Sequence, residues 1–453
     1  MERVCICTRW MLLTGSLLKN ENNKEPVVKG ENLKKKRINM KAVILDGSNK
    51  KDPVGERVQE ALYKQLGANG WEIEHILLRE MKIGNCAGDF FCWVRSPGVC
   101  NVDDDNRVIA EAIVNSDLTV YLTPVTFGGY SSHLKKAVDH QIQNISPFFD
   151  RINGETHHQK RYKKYPDFLA VGWMENADPH AEQVFKHLIW RNSLNFFAKK
   201  VAAGIIYRSQ SDCEIQSVIE SLLDDLANGI PFQAAELPTK RSFSLQAIKI
   251  QRALLLVGSP RTRKSTSNSL GEHLLERLRF QNIETESIYI HTSLRNPERM
   301  QNLLGAMNTA DLVVLAFPLY VDSLPAPVIE ALERFTIYRN GNSTRQRFAA
   351  IANCGFPEAG HNATALAICA IFAHQAGFEW AGSLALGAGQ GMVHGIPLNE
   401  MDGRAEPLKD ALELAAGALG KGLEIPTEAQ AYWEKPFIPP WLYRAMGRHG
   451  WKR

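Results

Sequence analysis

The sequence predicts an α/β protein with two successive, open, doubly wound parallel sheets of five strands each. One pattern occurs twice, an apolar run that ends in Gly-Ser, at 41–48 and again at 252–259. Each copy continues with a helix-like segment and a second apolar run that ends in proline, at 117–124 and 311–318. Strand and helix patterns alternate in both copies, and crossovers of this length join parallel strands that helices cover on both faces.

The strands are assigned to short apolar runs, because a strand buried on both faces is apolar along its length. In the first copy we predict strands near 41–46, 71–78, 117–123, 167–173 and 200–207, and helices near 54–67, 105–115, 131–143, 180–197 and 213–227. In the second copy we predict strands near 252–257, 283–289, 311–317, 347–353 and 378–386, and helices near 266–280, 297–309, 325–338, 361–376 and 405–421. Five strands per copy fit the flavodoxin-like order better than the six-stranded dinucleotide-binding fold.

These assignments divide the chain into domains. We expect a first domain at 40–229 and a second at 249–422, joined by a polar, proline-containing linker at 230–248. Residues 1–39 are polar and charged after a short apolar stretch, which predicts a disordered or spurious N-terminal extension. Residues 423–453 form a basic, aromatic C-terminal tail, which packs on its own protein or a partner subunit, or touches an anionic membrane surface.

Composition excludes several classes of protein. No apolar segment approaches the 18 residues of a membrane span, so we expect no integral membrane segment. A net charge of +4 is too small to indicate a nucleic-acid partner. Eight cysteines in 453 residues do not suggest a disulfide framework, so a reducing, cytoplasmic location is expected.

The first chemical motif is GSPRTRKSTS at 258–267. It combines a tight turn, several hydroxyls and a basic side chain at the start of a helix, where an anion is stabilised. A phosphate monoester fits this pattern, and an ordinary capped turn is the alternative. Because neither a Walker pattern nor G-x-G-x-x-G is present, a mononucleotide is favoured over ATP or a dinucleotide. The candidate phosphate-binding residues are Gly258, Ser259, Arg261, Ser265, Thr266 and Ser267.

The second motif is TPVTFGGYSSHLKKAVDH at 123–140. Its two glycines let the backbone approach a flat ring closely, and its aromatic residues could shield that ring or belong to the core. The equivalent loop of the second domain lacks the glycine pair. The candidate ring-binding residues are Pro124, Val125, Thr126, Phe127, Gly128 and Gly129 in the first domain, and Pro318, Leu319, Tyr320, Val321 and Asp322 in the second.

These motifs resemble the NAD(P)H-dependent FMN reductase group of flavodoxin-like proteins, to which the iron–sulfur flavoproteins are close relatives. GSPR…STS is similar to that family's FMN-phosphate loop, and Pro124 to Asp139 is similar to its isoalloxazine loop. The resemblance covers most of 40–422. It implies bound FMN that takes a hydride from NAD(P)H and passes electrons to a flavin, quinone or other small-molecule acceptor.

The resemblance is specific for fold and flavin and weak for the acceptor. A non-enzymatic flavodoxin-like electron carrier or flavin sensor stays open as an alternative, as does an iron–sulfur flavoprotein. The family pattern implies neither NADH nor NADPH in particular, and it leaves a homodimer open.

The first domain departs from the family in its phosphate loop, GSNKKDPVGERV at 47–58. Gly47 and Ser48 match, but Asp52 and Glu56 stand where the family favours small hydroxyl residues. Carboxylates repel a phosphate dianion unless nearby lysines or arginines offset them. The better phosphate loop is therefore in the second domain and the better ring loop in the first, so either both domains bind FMN or one is a degenerate copy.

A cysteine segment at 86–105 resembles the one that follows the second strand in this family. Cys86, Cys92 and Cys100 match that pattern, but Asp89 replaces its second cysteine. Because a four-cysteine site is incomplete, we predict no metal and a loop with free thiols over the flavin. Iron or zinc on the three thiolates with Asp89, or a redox-active cysteine, are the weaker alternatives.

Three further segments complete the candidates. Residues 147–166 contain Glu155, His157 and His158 at a spacing that matches no closed zinc site, followed by a basic aromatic stretch. This loop covers the flavin, binds the phosphates of NADPH or is simply solvated. Segments 353–362 and 386–392 follow the last two strands of the second domain, where ligands of such sheets bind. Their small residues would suit the edge of a ring. Cys354 could instead be a nucleophile, but packing of small residues is favoured. These latter segments include Gly355 and Gly389.

Overall fold

A computed structural model of the chain describes residues 40–238, 245–342 and 345–450. The predicted N-terminal extension therefore lies outside the described residues, as do part of the predicted linker and the last three residues of the tail. Within the described ranges, no helix is long and apolar enough to cross a membrane.

The first half of the chain builds one five-stranded parallel sheet in the order β2-β1-β3-β6-β7, with a separate antiparallel hairpin, β4–β5. In chain order its elements are β1 (Lys41–Asp46), α1 (Pro53–Ala68), β2 (Glu72–Leu77), α2 (Phe91–Val94), α3 (Asn106–Val114), β3 (Leu118–Pro124), α4 (Ser132–Asp139), β4 (Ile145–Ile152), β5 (Glu155–Lys160), β6 (Asp167–Met174), α5 (Pro179–Asn195), β7 (Val201–Tyr207) and α6 (Asp212–Asn228).

The second half repeats this architecture, with a five-stranded parallel sheet in the order β9-β8-β10-β11-β12. Its elements are β8 (Arg252–Val257), α7 (Thr266–Arg279), β9 (Glu284–Tyr289), α8 (Ile290–Ser293), α9 (Pro297–Thr309), β10 (Leu312–Pro318), α10 (Ala326–Arg339), β11 (Arg347–Asn353), α11 (Ala363–Gln375), β12 (Glu379–Leu386), α12 (Gly389–Met392), α13 (Glu406–Leu419), α14 (Thr427–Glu434) and α15 (Pro440–Gly450). Both sheets have the flavodoxin-like order, so the predicted fold class is confirmed.

The ten predicted strands of the two sheets lie within a few residues of the observed ones. The main difference is the hairpin β4–β5, which lies in a segment predicted to be a loop. Its two strands meet at Asn153 and Gly154, both with positive φ (50° and 90°), as a two-residue type I′ turn requires. The Asn-Gly pair is a recognised hairpin signal that the sequence interpretation did not use.

The two halves pack through equivalent helices, α4 against α10 and α5 against α11. The Asp139 Oδ2 atom, at the end of α4, accepts a hydrogen bond of 2.8 Å from the backbone N–H of Ala326, at the start of α10. Reciprocally, Glu333 Oε1 of α10 accepts one of 3.1 Å from the N–H of Ser132, at the start of α4. Because each helix caps the other with a carboxylate from the equivalent position, the halves are related by a two-fold arrangement within one chain.

One apolar core runs between the two sheets and across this contact. Leu45 of β1, Leu315 of β10 and Phe372 of α11 are each 0% exposed and belong to a single cluster of buried side chains. Phe127, which follows β3, packs edge-on against Phe372 with ring centroids 5.1 Å apart. Burial of these apolar side chains supplies most of the free energy that holds the two halves together.

The fit at this contact yields a stability prediction. Gly128 has a φ of 81°, and a Cβ atom there would lie 3.0 Å from Val184 Cβ and 3.1 Å from Ile371 Cδ1. We expect Gly128→Ala to lower the free energy of unfolding by about 1–3 kcal/mol. Alanine is strained at this positive φ, and its Cβ atom overpacks the contact with Val184 and Ile371. Urea denaturation followed by circular dichroism measures this.

The matched control is Gly305→Ala in α9, where no atom lies within 4 Å of the added Cβ. This substitution should raise the free energy of unfolding by roughly 0.5–1 kcal/mol, since alanine favours a helix over glycine. Equal effects of the two substitutions would contradict the tight contact at Gly128.

Candidate active site

A cavity of about 380 Å³ lies at the carboxyl ends of the strands of the second sheet, where ligands of doubly wound folds bind. The second half supplies its floor through the loops after β8, β10, β11 and β12. The first half supplies much of its roof through the cysteine segment, the end of α4, the hairpin β4–β5 and the end of α5. The site is therefore built from both halves.

The floor begins with the predicted phosphate loop of the second half. The helix α7 starts here, and its N-cap Ser265 accepts a hydrogen bond of 3.1 Å from the N–H of Asn268. Asn353, at the end of β11, donates a hydrogen bond of 2.9 Å to Ser267 Oγ. Gly258 lies directly beneath, where a Cβ atom would come within 2.6 Å of Val328 Cγ2. The loop residues that line the cavity are Ser259, Arg261, Lys264, Ser265, Thr266 and Ser267.

Arg261 reaches from this loop to the first half. Its Nη2 atom donates a hydrogen bond of 2.7 Å to the carbonyl oxygen of Gly88, in the cysteine segment. The amide of Gln390, with its oxygen turned toward the guanidinium, accepts from the same side chain. Gly88 has a φ of 61° and packs so closely on the Tyr320 hydroxyl that a side chain would collide with it. Arg261 thus places a positive charge at the cavity and ties the cysteine segment to the floor.

The loop after β10 forms the next part of the floor, and all five of its predicted ring-binding residues, Pro318 to Asp322, line the cavity. Tyr320 and Ser323 exchange two backbone hydrogen bonds, of 3.0 and 3.1 Å, across a tight turn. The residues at its tip, Val321 and Asp322, have φ values of 44° and 56°. Neither is glycine, so the surrounding structure must hold this conformation.

The first half holds that loop in two places. Lys135, which is fully buried in α4, donates a hydrogen bond of 2.8 Å to the Tyr320 carbonyl oxygen and pairs with Asp139. Burial lowers the pKa of Lys135 and raises that of Asp139, and the attraction between the two opposes both changes. The pair is thus a polar bridge inside the core, between α4 and the cavity floor.

The second anchor is the Asp322 carboxylate, which is 3% exposed. It accepts hydrogen bonds from Asn192 Nδ2 (3.1 Å) and Asn195 Nδ2 (2.5 Å), and lies 3.3 Å from Arg191 Nε. Burial opposes the charge on Arg191, but Asp322 and Glu155 together raise its pKa above the usual value. Three side chains of α5 therefore fix the one carboxylate of the floor loop.

The Glu-Thr-His-His run of β5 serves the same contact. Glu155 pairs with Arg191, and Thr156 Oγ1 donates a hydrogen bond of 2.9 Å to Glu358 Oε1 in the second half. The His157 Nδ1 atom lies 2.9 Å from Asn195 Oδ1. His158 lines the cavity, and burial lowers its pKa to about 3, so its ring is neutral near pH 7. These candidate metal ligands join the two halves and the cavity roof.

The ring loop of the first half lies elsewhere. Its residues do not line the cavity, and Phe127, Gly128 and Gly129 are buried between α5 and α11. Thr126 Oγ1 donates a hydrogen bond of 3.3 Å to Glu333 Oε1. The remaining candidates here, Pro124 and Val125, end β3 and begin this buried turn. The glycine pair therefore lets α11 of the opposite half, and α5 of its own half, approach this turn closely.

The phosphate loop of the first half is filled by its own side chains. Asp52 caps α1 and accepts a hydrogen bond of 3.0 Å from the Trp173 indole N–H. Trp173, near the end of β6, is the counterpart of Asn353 at the end of β11. Trp173 pairs with Pro124 of β3, and Asn353 pairs with Pro318, the equivalent residue of β10. Ser48 Oγ accepts from Arg79 at 2.7 Å, and Gly47 packs on Leu134. Neither Gly47 nor Ser48 lines the cavity.

The cysteine segment covers the cavity of the opposite half. Cys86 lines it, together with Phe90 and Trp93, whose rings stack with centroids 5.0 Å apart. Burial raises the pKa of Cys92 to about 12, and the six cysteines of the described ranges form no disulfide. Asp89 accepts a hydrogen bond of 3.0 Å from the Phe91 N–H. Among the described residues, no three His, Cys, Asp or Glu side chains are arranged to hold a metal ion.

Several lining residues were not named individually in the sequence analysis. Lys264 lies inside the segment 258–267, and Asn353 begins the segment 353–362, so closer attention to these segments would have found both. The aromatic roof as a whole has no local signal, because its rings come from four separate segments, and only His158 among them was a named candidate, as a metal ligand. Those rings belong to Trp93, Phe149, His158, Phe356 and Tyr443.

Comparison with known proteins shows to which family this chain belongs. The family model of the NADPH-dependent FMN reductases matches residues 40–204 and 251–390, once for each half. The chain belongs to the NADPH-dependent FMN reductase family. FMN is accordingly its cofactor.

Individual relatives of this family member are distant. An iron-sulfur flavoprotein of Archaeoglobus fulgidus is 27% identical over 103 residues, which are 23% of this chain and 46% of that protein. This chain therefore matches less than half the length of that relative.

Solved structures similar to this chain include an FMN-dependent NADH-azoreductase from Bacillus anthracis in complex with FMN. It is 16% identical, with a TM-score of 0.29, over 37% of this chain and 99% of that one. An NAD(P)H:quinone oxidoreductase from Methanothermobacter marburgensis is 13% identical, with a TM-score of 0.27, over 39% and 96%. The fold assignment itself rests on the order of the strands.

The network around Arg191 predicts a pH dependence of stability. The His157 ring, whose Nε2 atom lies 3.4 Å from Glu155 Oε2, and then Arg191 lower the pKa of Glu155 to about 2, against the opposing effect of burial. Because this pKa is lower in the folded state, the stabilisation is complete above about pH 4.5 and is lost as the pH falls towards 2.

The variant Glu155→Gln removes this contribution. We expect it to be less stable than wild type by about 1 kcal/mol at pH 6, a modest value because the Glu155 side chain is 35% exposed. The difference should shrink as the pH falls from 4.5 to 3. Urea denaturation at these pH values measures it, and a difference that stays constant with pH would contradict the assignment.

Proposed function

We propose that this chain binds one FMN, in the cavity of its second half, and transfers electrons from NAD(P)H to a small-molecule acceptor. The observation that supports this most is the convergence of two independent loops. The phosphate loop after β8 and the ring loop after β10 line the same cavity, and the opposite half covers both. Neither corresponding loop of the first half lines this cavity.

The residues of the cavity fit the cofactor. A dianionic phosphate would be held at the N-terminus of α7 by Ser259, Ser265, Thr266 and Ser267, with Arg261 and Lys264 to neutralise its charge. The isoalloxazine ring would lie at Pro318 to Asp322, beneath the aromatic side chains of the roof. When bound, FMN supplies hydride acceptance and electron transfer, and the protein supplies position and environment.

The first half acts as a scaffold for the site in this proposal. Its own phosphate loop presents the Asp52 carboxylate where a phosphate would need positive charge, and Trp173 occupies the adjacent space. A carboxylate next to a dianion is unfavourable in a partly buried site. The first half instead contributes Lys135, Asp139 and the side chains of α5, which fix the ring loop of the second half.

We favour an enzyme over an electron carrier, because residues of both halves line the cavity, whereas a carrier needs only to expose an edge of the flavin ring. Cys354 lines this space, but burial raises the pKa of its thiol to about 12, so it is protonated and a poor nucleophile. Electron transfer through the flavin, in a reducing cytoplasm, is therefore the proposed chemistry.

The direct test is to identify the cofactor and measure turnover. FMN should be released on heating and recognised by its mass, and the loaded protein should oxidise NADPH or NADH in the presence of a quinone. Bound FMN without oxidation of either nicotinamide would favour the electron carrier. A protein that takes up no FMN on reconstitution would contradict the proposal.

The two phosphate loops provide a matched pair of variants. Arg261→Ala should weaken FMN binding by about 10- to 100-fold, because a charge-assisted phosphate contact contributes roughly 1.5–3 kcal/mol. Lys50, the equivalent residue in the first half, is exposed, and Lys50→Ala should leave the affinity unchanged. Fluorescence titration of the full chain with FMN measures both. Equal losses would contradict a site in the second half alone.

A further inference from the structure

The C-terminal helix α15 forms a wall of the proposed flavin cavity, although it follows the segments that match the family model. Tyr443 of α15 lines the cavity, and its hydroxyl donates a hydrogen bond to the carbonyl oxygen of Gly355. Burial, with the nearby acidic groups, raises the pKa of Tyr443 to about 12, so the phenol keeps the proton that this bond requires. We propose that α15, through Tyr443, determines which electron acceptors enter the cavity.

The contacts of Tyr443 show why it would act as a selective wall. Its ring lies against Phe149 of the hairpin, with centroids 5.5 Å apart, and Phe149 in turn contacts Phe356 at 6.1 Å. These three rings come from the C-terminal helix, the first half and the second half. All three rings line the cavity and form one side of it. An acceptor wider than this space would have to displace the Tyr443 ring.

The helix is held in place at two points. Before it, Trp433 of α14 is 1% exposed and packs in the core of the second half, so the chain is anchored just upstream. On the helix itself, Gly447 packs flat on Phe149, and a Cβ atom at this glycine would lie 2.5 Å from Phe149 Cε2. Gly447 therefore permits the close approach that brings Tyr443 to the cavity.

Solvent-exposed positions of α15 provide an internal control. Trp441 is 66% exposed and Met446 is 56% exposed, and neither lines the cavity. A substitution there changes the same helix without changing the wall.

This inference rests on the proposed function, and its test separates the two. The protein is truncated after Lys435, which retains Trp433 and removes α15. Selectivity is the ratio of kcat/KM for 9,10-phenanthrenequinone, a wide acceptor, to kcat/KM for 1,4-benzoquinone, a narrow one. Truncation should raise this ratio by about tenfold, a usual effect of a shape restriction in a pocket.

A second readout does not depend on turnover. Iodide should quench the fluorescence of bound FMN more strongly in the truncated protein, because one wall of the cavity is gone. Tyr443→Ala and Gly447→Leu should change both readouts in the same direction, Tyr443→Phe should retain most of the selectivity, and Trp441→Ala should behave as wild type. The two point variants also test the inference if the truncated chain does not fold.

The outcomes are distinguishable. Wild-type protein that binds no FMN contradicts the proposed function. Wild-type protein that binds FMN and turns over, but whose selectivity and iodide quenching are unchanged by truncation, Tyr443→Ala and Gly447→Leu, contradicts the role of α15 alone.

Discussion

The reciprocal capping of α4 and α10 is the contact on which the rest of the structure depends. Asp139 accepts from the first N–H of α10, and Glu333 accepts from the first N–H of α4, so each half completes a helix end of the other. A helix end buried without such partners would be unfavourable. Because these carboxylates are equivalent in the two halves, the contact behaves like the isologous interface of a dimer within a single chain.

This symmetry is broken at the cavities. The second half keeps an open floor at Asn353 and Ser267, whereas Trp173 and Asp52 fill the equivalent place in the first half. Because the position in the first half is filled, the elements around it can contact the cavity of the second half. The first half places Lys135 and α5 against the ring loop, and the hairpin β4–β5 over the cavity. Under the proposed function, one copy of the fold acts as a scaffold and the other carries the flavin site.

The fold could be predicted from sequence because it depends on local signals. Apolar strands, Gly-Ser turns and the prolines after the third strands recur in both halves, and the alternation of elements fixes a parallel sheet. The loop after β8 could be identified as a candidate for the same reason, since its hydroxyls are neighbours in the chain and line the cavity. The glycine pair Gly128–Gly129 also predicted that another group packs closely on this backbone. The sequence does not determine whether that group is a flavin ring or a helix. Long-range features, such as the Arg191–Asp322 pair and the aromatic roof, join segments far apart and leave no local pattern.

The central claim is that one flavin site is assembled from both halves of the chain. A crystal structure of the full-length protein reconstituted with FMN tests it most directly. The account predicts one FMN per chain, with its phosphate at the N-terminus of α7 and its ring between Pro318–Asp322 and side chains of the first half. A flavin phosphate bound at Gly47–Ser48, or a flavin that contacts only one half, would contradict it.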